Sequence, residues 1–340
     1  MSDWLPPALA YIPQWLDYQT AQLGLPGASI AIAKDGAVVL AHAQGVADQR
    51  SGEALTPAHR FRVASHSKTF TTAGILRLVD AGRLRLDDRA GTHVPGLHPE
   101  VARATVSQLL SHTGGIIRDG EDSEQWLQRR PFLSEAELGD ALAAPPTLPA
   151  NTRMKYTNHG FGLLGLIIEA VTGEAYNTWI ARNVIAPAGL GETYPDAPLP
   201  AGIPLAQGHA APALLGRRYV VPTDTCTHAL ASATGFVSTP ADLVRFFSQL
   251  ATTSPSLLLS LESRREIARP LWRIPGAAPR HYGLGTAHGE TGGWTWFGHG
   301  GGFPGVRSFT VIVPEQAIAV SVCLHATDGE PQGMVESILR

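Results

Sequence analysis

Two hairpin patterns stand near the two ends of this chain, with a long run of helical patterns between them, and that arrangement restricts the folds open to it. The first hairpin is Ala28-Ser29-Ile30-Ala31-Ile32-Ala33, a turn at Lys34-Asp35-Gly36, then Ala37-Val38-Val39-Leu40-Ala41. Asp-Gly between two apolar runs supplies the positive-φ residues a tight turn requires. The second covers residues 308–313, turns at Pro314-Glu315-Gln316 and returns over 317–323. Ahead of it Trp294-Thr295-Trp296-Phe297-Gly298-His299 alternates, so Thr295, Phe297 and His299 share one strand face. Residues 84–250 read mostly as helices, separated by Pro- and Gly-rich loops over 144–150 and 186–208, with another loop at 270–279. A helix over 8–23, ended by Gly24 and Pro26, precedes the first hairpin, and one over 332–340 closes the chain. Strands at both ends imply an α+β fold in which both termini build one antiparallel sheet flanked by terminal helices. Residues 1–83 and 270–340 form that sheet region, and 84–269 form an inserted all-helical region of one interleaved catalytic unit.

A chain of 340 residues buries enough surface to need no staples. Its net charge of −3 carries no footprint for nucleic acid or for an anionic membrane. No stretch reaches the ~18 apolar residues of a membrane helix. The first lysine is Lys34 and the first arginine Arg50, so no basic leader opens the chain, and the expected location is cytoplasmic. Cys226 and Cys323 lack metal or redox spacing and read as buried thiols or as one disulfide. The thirteen histidines show no His-Glu-x-x-His pattern, so neither a metal nor another cofactor is expected. The partner implied is a small molecule; oligomeric state is not legible.

The chemistry centres on Arg62-Val63-Ala64-Ser65-His66-Ser67-Lys68-Thr69-Phe70, which opens a helix carrying Thr72, Ile75, Leu76 and Val79 and stopping at Gly82. Ser65 and Lys68, three apart at a helix start, meet on one face. A serine hydroxyl needs such a neighbour to become a nucleophile. The plainer alternative makes Ser65 an N-cap and Lys68 a solvated first-turn charge. Against it, the chain has only three lysines among 26 basic residues, and apolar side chains crowd this one.

Lys155-Tyr156-Thr157-Asn158 precedes a helix with Phe161, Leu164, Ile168 and Val171. Residues two apart in an extended segment point the same way, so Tyr156 and Asn158 can face one pocket. A neighbouring lysine favours the ionised tyrosine, which would take a proton from a serine. Otherwise Asn158 caps the helix and Tyr156 packs on the core. Gly298-His299-Gly300-Gly301-Gly302 lets backbone N–H groups approach a ligand, as an oxyanion hole requires; the alternative is a glycine-rich strand end. A lipase-type loop would need a Gly-x-Ser-x-Gly elbow, and no serine sits in that frame. Ser111-His112 imitates a catalytic pair, but adjacent side chains diverge, and His112 reads as a turn anchor. Trp126, Tyr219, Trp294 and Trp296 are candidates for an apolar acyl pocket or for core.

Taken in order, Ser65-x-x-Lys68, Tyr156-x-Asn158 and His299-x-Gly301 resemble the motifs of the penicillin-recognising serine hydrolases. The branch most similar holds class C β-lactamases, family VIII carboxylesterases, D-aminopeptidases and DD-peptidases. Val106-Ser107-Gln108-Leu109-Leu110-Ser111-His112-Thr113-Gly114-Gly115, Pro187-Ala188-Gly189-Leu190-Gly191-Glu192-Thr193 and Ala233-Thr234-Gly235-Phe236-Val237-Ser238-Thr239-Pro240-Ala241-Asp242-Leu243 carry the same likeness, which runs over residues 23–323. The resemblance implies a β-lactamase/transpeptidase-like fold with its site in the cleft between sheet and helices. It implies Ser65 as nucleophile, Lys68 and Tyr156 as shared general base, with Tyr156 also activating the deacylating water, and Asn158 as the residue orienting lysine and substrate. The oxyanion hole would be the N–H groups of Ser65 and Gly302, and His299 and Gly301 would line the substrate.

One departure bears on the substrate. Where β-lactamases and DD-peptidases carry a lysine, this chain has His299, mostly neutral at pH 7. That weakens the case for substrates held by a carboxylate. The expected function is a serine hydrolase forming an acyl-enzyme on small carboxylic esters. The alternatives are a D-aminopeptidase, amidase or transacylase, a weak β-lactamase, and a non-catalytic acyl-binding sensor.

Overall fold

The computed structural model describes residues 4–119, 123–274, 276 and 279–340. A nine-stranded antiparallel sheet carries the molecule, made of β1 (Gly27–Lys34), β2 (Ala37–Asp48), β3 (Glu53–Ala54), β4 (Trp272–Ile274), β5 (Arg280–Tyr282), β6 (Ala287–Thr291), β7 (Trp294–Phe303), β8 (Val306–Val313) and β9 (Ile318–Leu324). Their order is β3-β2-β1-β9-β8-β7-β6-β5-β4, so the first strand of the chain pairs with the last, Ile30 opposite Val322. Both expected hairpins form. Asp35 and Gly36 take φ of 52° and 80° at the first turn, the backbone that the Asp-Gly pair was read to provide.

Alternation along the strands divides the core in two. Ala28, Ile30, Ile32, Trp296, Val311, Val320 and Val322 face the terminal helices α1 (Leu5–Gln22) and α5 (Pro331–Ile338), packing on Ile12, Leu16, Met334 and Val335. Ala31, Ala33, Phe297, Ile312, Ala319 and Cys323 face the other way, toward the remaining helices. Three of those helices position the site: α2 (His66–Asp80), α3 (Asn158–Thr172) and α4 (Pro240–Leu250). Helix α4 falls inside the span 84–269 yet packs on β1, β8 and β9. Phe70 of α2 lies stacked between Phe236 and Phe246, with ring centroids 4.4 and 4.0 Å away. Twelve of the fifteen α2 residues are buried, so the helix is a central post rather than a surface element.

The structure decides between the alternatives left open for the four aromatic residues and for the cysteines. Trp294 and Trp296 lie on the terminal-helix face of β7, with Trp296 in that core and Trp294 packed against it, so neither lines the cleft. Tyr219 is 72% exposed. Only Trp126 of the four is on the cleft side, edge-on to Phe132 and Phe303 at 5.0 and 5.9 Å. The two cysteines are free thiols, Cys323 buried and Cys226 partly so. Among the described residues, no helix is long and apolar enough to cross a membrane.

Candidate active site

The segment ahead of α2 is clamped before it reaches Ser65. Phe61–Arg62 pairs with Val237–Ser238 as a two-stranded ribbon. Arg62, fully buried, donates to Asp196 Oδ1 at 3.0 Å, to Thr223 O at 3.3 Å and to the carbonyls of Gly235 and Thr225, with its guanidinium over the Phe303 ring. Ala64 then takes φ of 48°, a left-handed backbone uncommon for a residue with a Cβ. That turn leaves Ser65 as the one partly exposed residue among 61–70.

Ser65 occupies the N-cap position of α2, but its hydroxyl makes no capping bond. The plain capping reading is therefore excluded. Ser65 Oγ instead accepts a 2.8 Å hydrogen bond from the Tyr156 hydroxyl and lies 3.2 Å from Lys68 Nζ. Lys68 is fully buried, so it is no solvated charge. Its Nζ donates to Asn158 Oδ1 and to the Ala233 carbonyl, each at 2.8 Å. The rings of Tyr156 and Phe161 lie 4.7 and 5.6 Å from it. Among the described residues no carboxylate touches the amine, and burial pushes its pKa well below the lysine range; Asp119 opposes the shift and Arg118 adds to it.

Thr157 caps α3 by accepting from the Gly160 N–H, which leaves the Asn158 side chain free for the site. Thr157 is extended, with φ of −143° and ψ of 130°, so Tyr156 and Asn158 do point to one place. The Asn158 amide has one consistent orientation: Oδ1 takes the lysine, and Nδ2 donates to Asp119 Oδ1. Asp119 also pairs with the exposed Arg118, Nε to Oδ2 at 2.9 Å. The expectation that Tyr156 is ionised is overturned. Burial raises its pKa above the ordinary tyrosine value, and the bond to Ser65 only partly offsets this, so it is a phenol.

His112 anchors backbone as expected, its Nδ1 accepting from the Thr157 N–H at 3.2 Å. It also forms a floor that sequence reasoning missed, its ring 4.2 Å from that of Tyr156, 5.1 Å from Phe161 and 4.7 Å from Tyr282. His299 is 4% exposed, and both ring nitrogens are engaged: Nδ1 donates to the Gly300 carbonyl at 2.6 Å, and Nε2 accepts from the Tyr282 hydroxyl at 2.8 Å. Burial, then His66 and Lys68, bring its pKa down to about 3, so this wall of the site is uncharged.

Strand β6 pairs with β7 only from Trp294 to Gly298, so beyond Gly298 that edge of β7 has no strand beside it among the described residues. At Gly301 a Cβ would collide with the Val63 carbonyl, two residues before Ser65. Glycine is required there by close approach. Gly302 follows, opposite Arg307 of β8. The structure thus gathers Ser65, Lys68, Tyr156 and Asn158 into one bonded cluster and brings the strand of His299, Gly301 and Gly302 against it. Asp119, Tyr282 and the Ala233 carbonyl were not singled out by sequence. The carbonyl comes from a five-residue π-turn, Ala231–Gly235, a feature often found at functional sites. Among the described residues no group of three His, Cys, Asp or Glu side chains is placed to hold a metal.

The β-lactamase family model matches residues 12–339. Protein flp of Staphylococcus aureus is 34% identical over 176 residues, which are 50% of this chain and 34% of that protein, so the matched stretch spans about a third of the relative. Among solved structures, SurE superposes with a TM-score of 0.83 at 28% identity, covering 98% of this chain and 75% of its own. A D-stereospecific amidohydrolase from Streptomyces gives a TM-score of 0.80 at 27% identity, covering 96% and 97%. The fold is β-lactamase/transpeptidase-like, and the chain belongs to the β-lactamase family of serine hydrolases.

Proposed function

We propose that this chain hydrolyses small carboxylic esters through an acyl-enzyme on Ser65. The observation that carries the reading is the Ser65 hydroxyl held between Tyr156 at 2.8 Å and a buried lysine nitrogen at 3.2 Å. A neutral amine has two N–H donors and one lone pair. Asn158 Oδ1 and the Ala233 carbonyl take the donors, which leaves the lone pair for the serine proton. Lys68 is then the general base, and the phenol of Tyr156 supports Oγ from its other side. Attack by Oγ on the ester carbonyl moves the serine proton to Lys68 and gives a tetrahedral oxyanion, received by the N–H groups of Ser65 and Gly302. Collapse expels the alkoxide, which takes a proton from Tyr156, and Lys68 restores that proton. Water then attacks the acyl-serine, giving its own proton to the same base, and collapse releases the carboxylic acid as Lys68 returns that proton to the departing Ser65 Oγ. The neutral Tyr282–His299 pair favours acyl compounds that lack a carboxylate at this wall over β-lactams.

A second reading rests on Asp119. Its carboxylate sits on the Asn158 amide, shared with the exposed Arg118, and an oxygen lone pair left free there among the described residues complements the α-ammonium of an amino acid amide. The likeness to a D-stereospecific amidohydrolase agrees with that reading. One paired assay separates the two, comparing a short p-nitrophenyl ester with a D-alanine p-nitroanilide. Ester turnover, lost by roughly 10³-fold or more in Ser65→Ala, is the expected result. Anilide turnover that disappears in Asp119→Asn would promote the second reading, and an active Ser65→Ala protein would sink both.

A further inference from the structure

His66 follows the reactive serine, and its ring is completely enclosed. Nδ1 lies 3.0 Å from the Val63 carbonyl and 3.3 Å from Ser308 Oγ, and Nε2 lies 2.8 Å from Thr310 Oγ1. A carbonyl only accepts, so Nδ1 carries the proton and Nε2 takes the Thr310 hydroxyl proton. Thr310 Oγ1 in turn accepts from Ser321 Oγ at 2.8 Å, and Ser308 Oγ lies 3.4 Å from the Val63 carbonyl. Every proton in this chain has an acceptor, with the imidazole neutral. The edge of the ring packs on Phe247 of α4, centroids 5.9 Å apart, so it cannot swing away.

The two hydroxyls are placed with purpose. Thr310 and Ser308 of β8 are the cross-strand partners of His299 and Gly301 on β7. One imidazole therefore joins the turn that presents Ser65 to the strand directly behind the glycine run. Gly301 fills the remaining gap without a side chain, against Val63 and Ser308. The two N–H donors of the oxyanion hole, on Ser65 and Gly302, are each one residue from this junction.

We propose that His66 is a positioning residue that sets the separation of the two oxyanion donors without touching substrate. The inference rests on the acyl-enzyme reading above, in which Ser65 and Gly302 supply those donors. Misplacing a reacting group by about 1 Å costs roughly a hundredfold in rate. His66→Phe keeps a ring and removes both nitrogens, while Thr310→Val removes one link at nearly constant shape.

The experiment measures kcat and KM for a p-nitrophenyl ester, the burst amplitude, the melting temperature and the inhibition constant of a phenylboronic acid that forms a tetrahedral adduct on serine. For His66→Phe we expect full burst amplitude per folded molecule, kcat down by ~10–100-fold, KM within about threefold, and boronate affinity falling in step with kcat. Thr310→Val should lose less in the same direction, and His66→Gln, which can restore one link, should recover part of the loss. If His66→Phe does not fold, Thr310→Val carries the test. A folded variant with kcat within about twofold of the parent would overturn the proposal, as would a loss of kcat with boronate affinity intact. Ser65→Ala is run alongside: its retained activity would defeat the acyl-enzyme reading, whatever the His66 variants do.

Discussion

Arg62 and Lys68 stand six residues apart on one segment, and both side chains are fully buried. Around Arg62 the fold supplies a carboxylate, Asp196, and three backbone carbonyls. Burial draws its pKa down, Asp196 draws it back up, and the guanidinium stays charged as a structural rivet. Around Lys68 the partners among the described residues are an amide oxygen, a carbonyl and a hydroxyl, none of them anionic. There burial wins, and the amine's pKa is lowered, as the proposed role of a base requires. The same solvent exclusion thus makes a clamp in one place and a reagent in the other. The difference is whether an anion was buried alongside.

The comparison can be broken at either residue. Lys68→Met should lower ester kcat by ~10²–10⁴-fold, since it removes the base. The melting temperature should hold or rise, because burying an amine with no carboxylate beside it among the described residues costs desolvation that methionine does not. A melting temperature that falls by many degrees would mean that the amine is charged and paired. Arg62→Met should do the reverse. Leaving Asp196 buried without its cation costs ~3–5 kcal/mol in stability, read as a lower urea midpoint, while kcat per active site counted by burst titration stays near that of the parent. A folded Arg62→Met protein with normal stability would show the clamp to be dispensable.

A smaller effect concerns acid. Burial holds His66 and His288 near about 4, and His299 and His325 near about 3. In the unfolded chain these rings return to about 6.5. Their folded values are depressed, so the unfolded state binds more protons between those limits. Stability is full above about pH 6.5 and declines as pH falls toward about 3. Lys68 works in the same direction, since burial lowers its pKa in the folded protein below the unfolded value of about 10.4, so protonating it costs stability as pH falls. The urea midpoint at pH 4.5 should therefore lie below that at pH 7.5, and a flat profile would contradict the neutral assignment of these rings.

The bonded cluster of Ser65, Lys68, Tyr156 and Asn158 was legible because its members sit at fixed local spacings: i, i+3 at a helix start and i, i+2 across an extended residue, each bringing two side chains together. The sheet was legible at the two hairpins, where turn chemistry and alternation agree. Alternation also held the answer for Trp294 and Trp296, left open between pocket and core, since even positions of β7 face away from His299. Tyr282 reaches His299 only through the register of three strands, β5 to β7. Asp119 depends on a loop whose carbonyl at Arg118 accepts from the Asn158 N–H. The Ala233 carbonyl is freed by a π-turn, for which residue identities give no signal. The ionisation of Tyr156 was misjudged for a related reason: neighbouring charge is visible in a sequence, but burial is not, and burial was the larger effect.

The central claim is that Ser65 is acylated with Lys68 as a free amine and Tyr156 as a phenol. The most direct test is the pH dependence of acyl transfer to Ser65, followed by rapid quench and mass spectrometry of the protein after mixing with an ester. The account predicts an adduct on Ser65 whose formation rate reaches its plateau below the ordinary lysine range, because burial lowers the pKa of the amine. A rate still climbing through about pH 10, where an ordinary lysine or tyrosine ionises, would contradict it. An adduct on any other residue would contradict it as well.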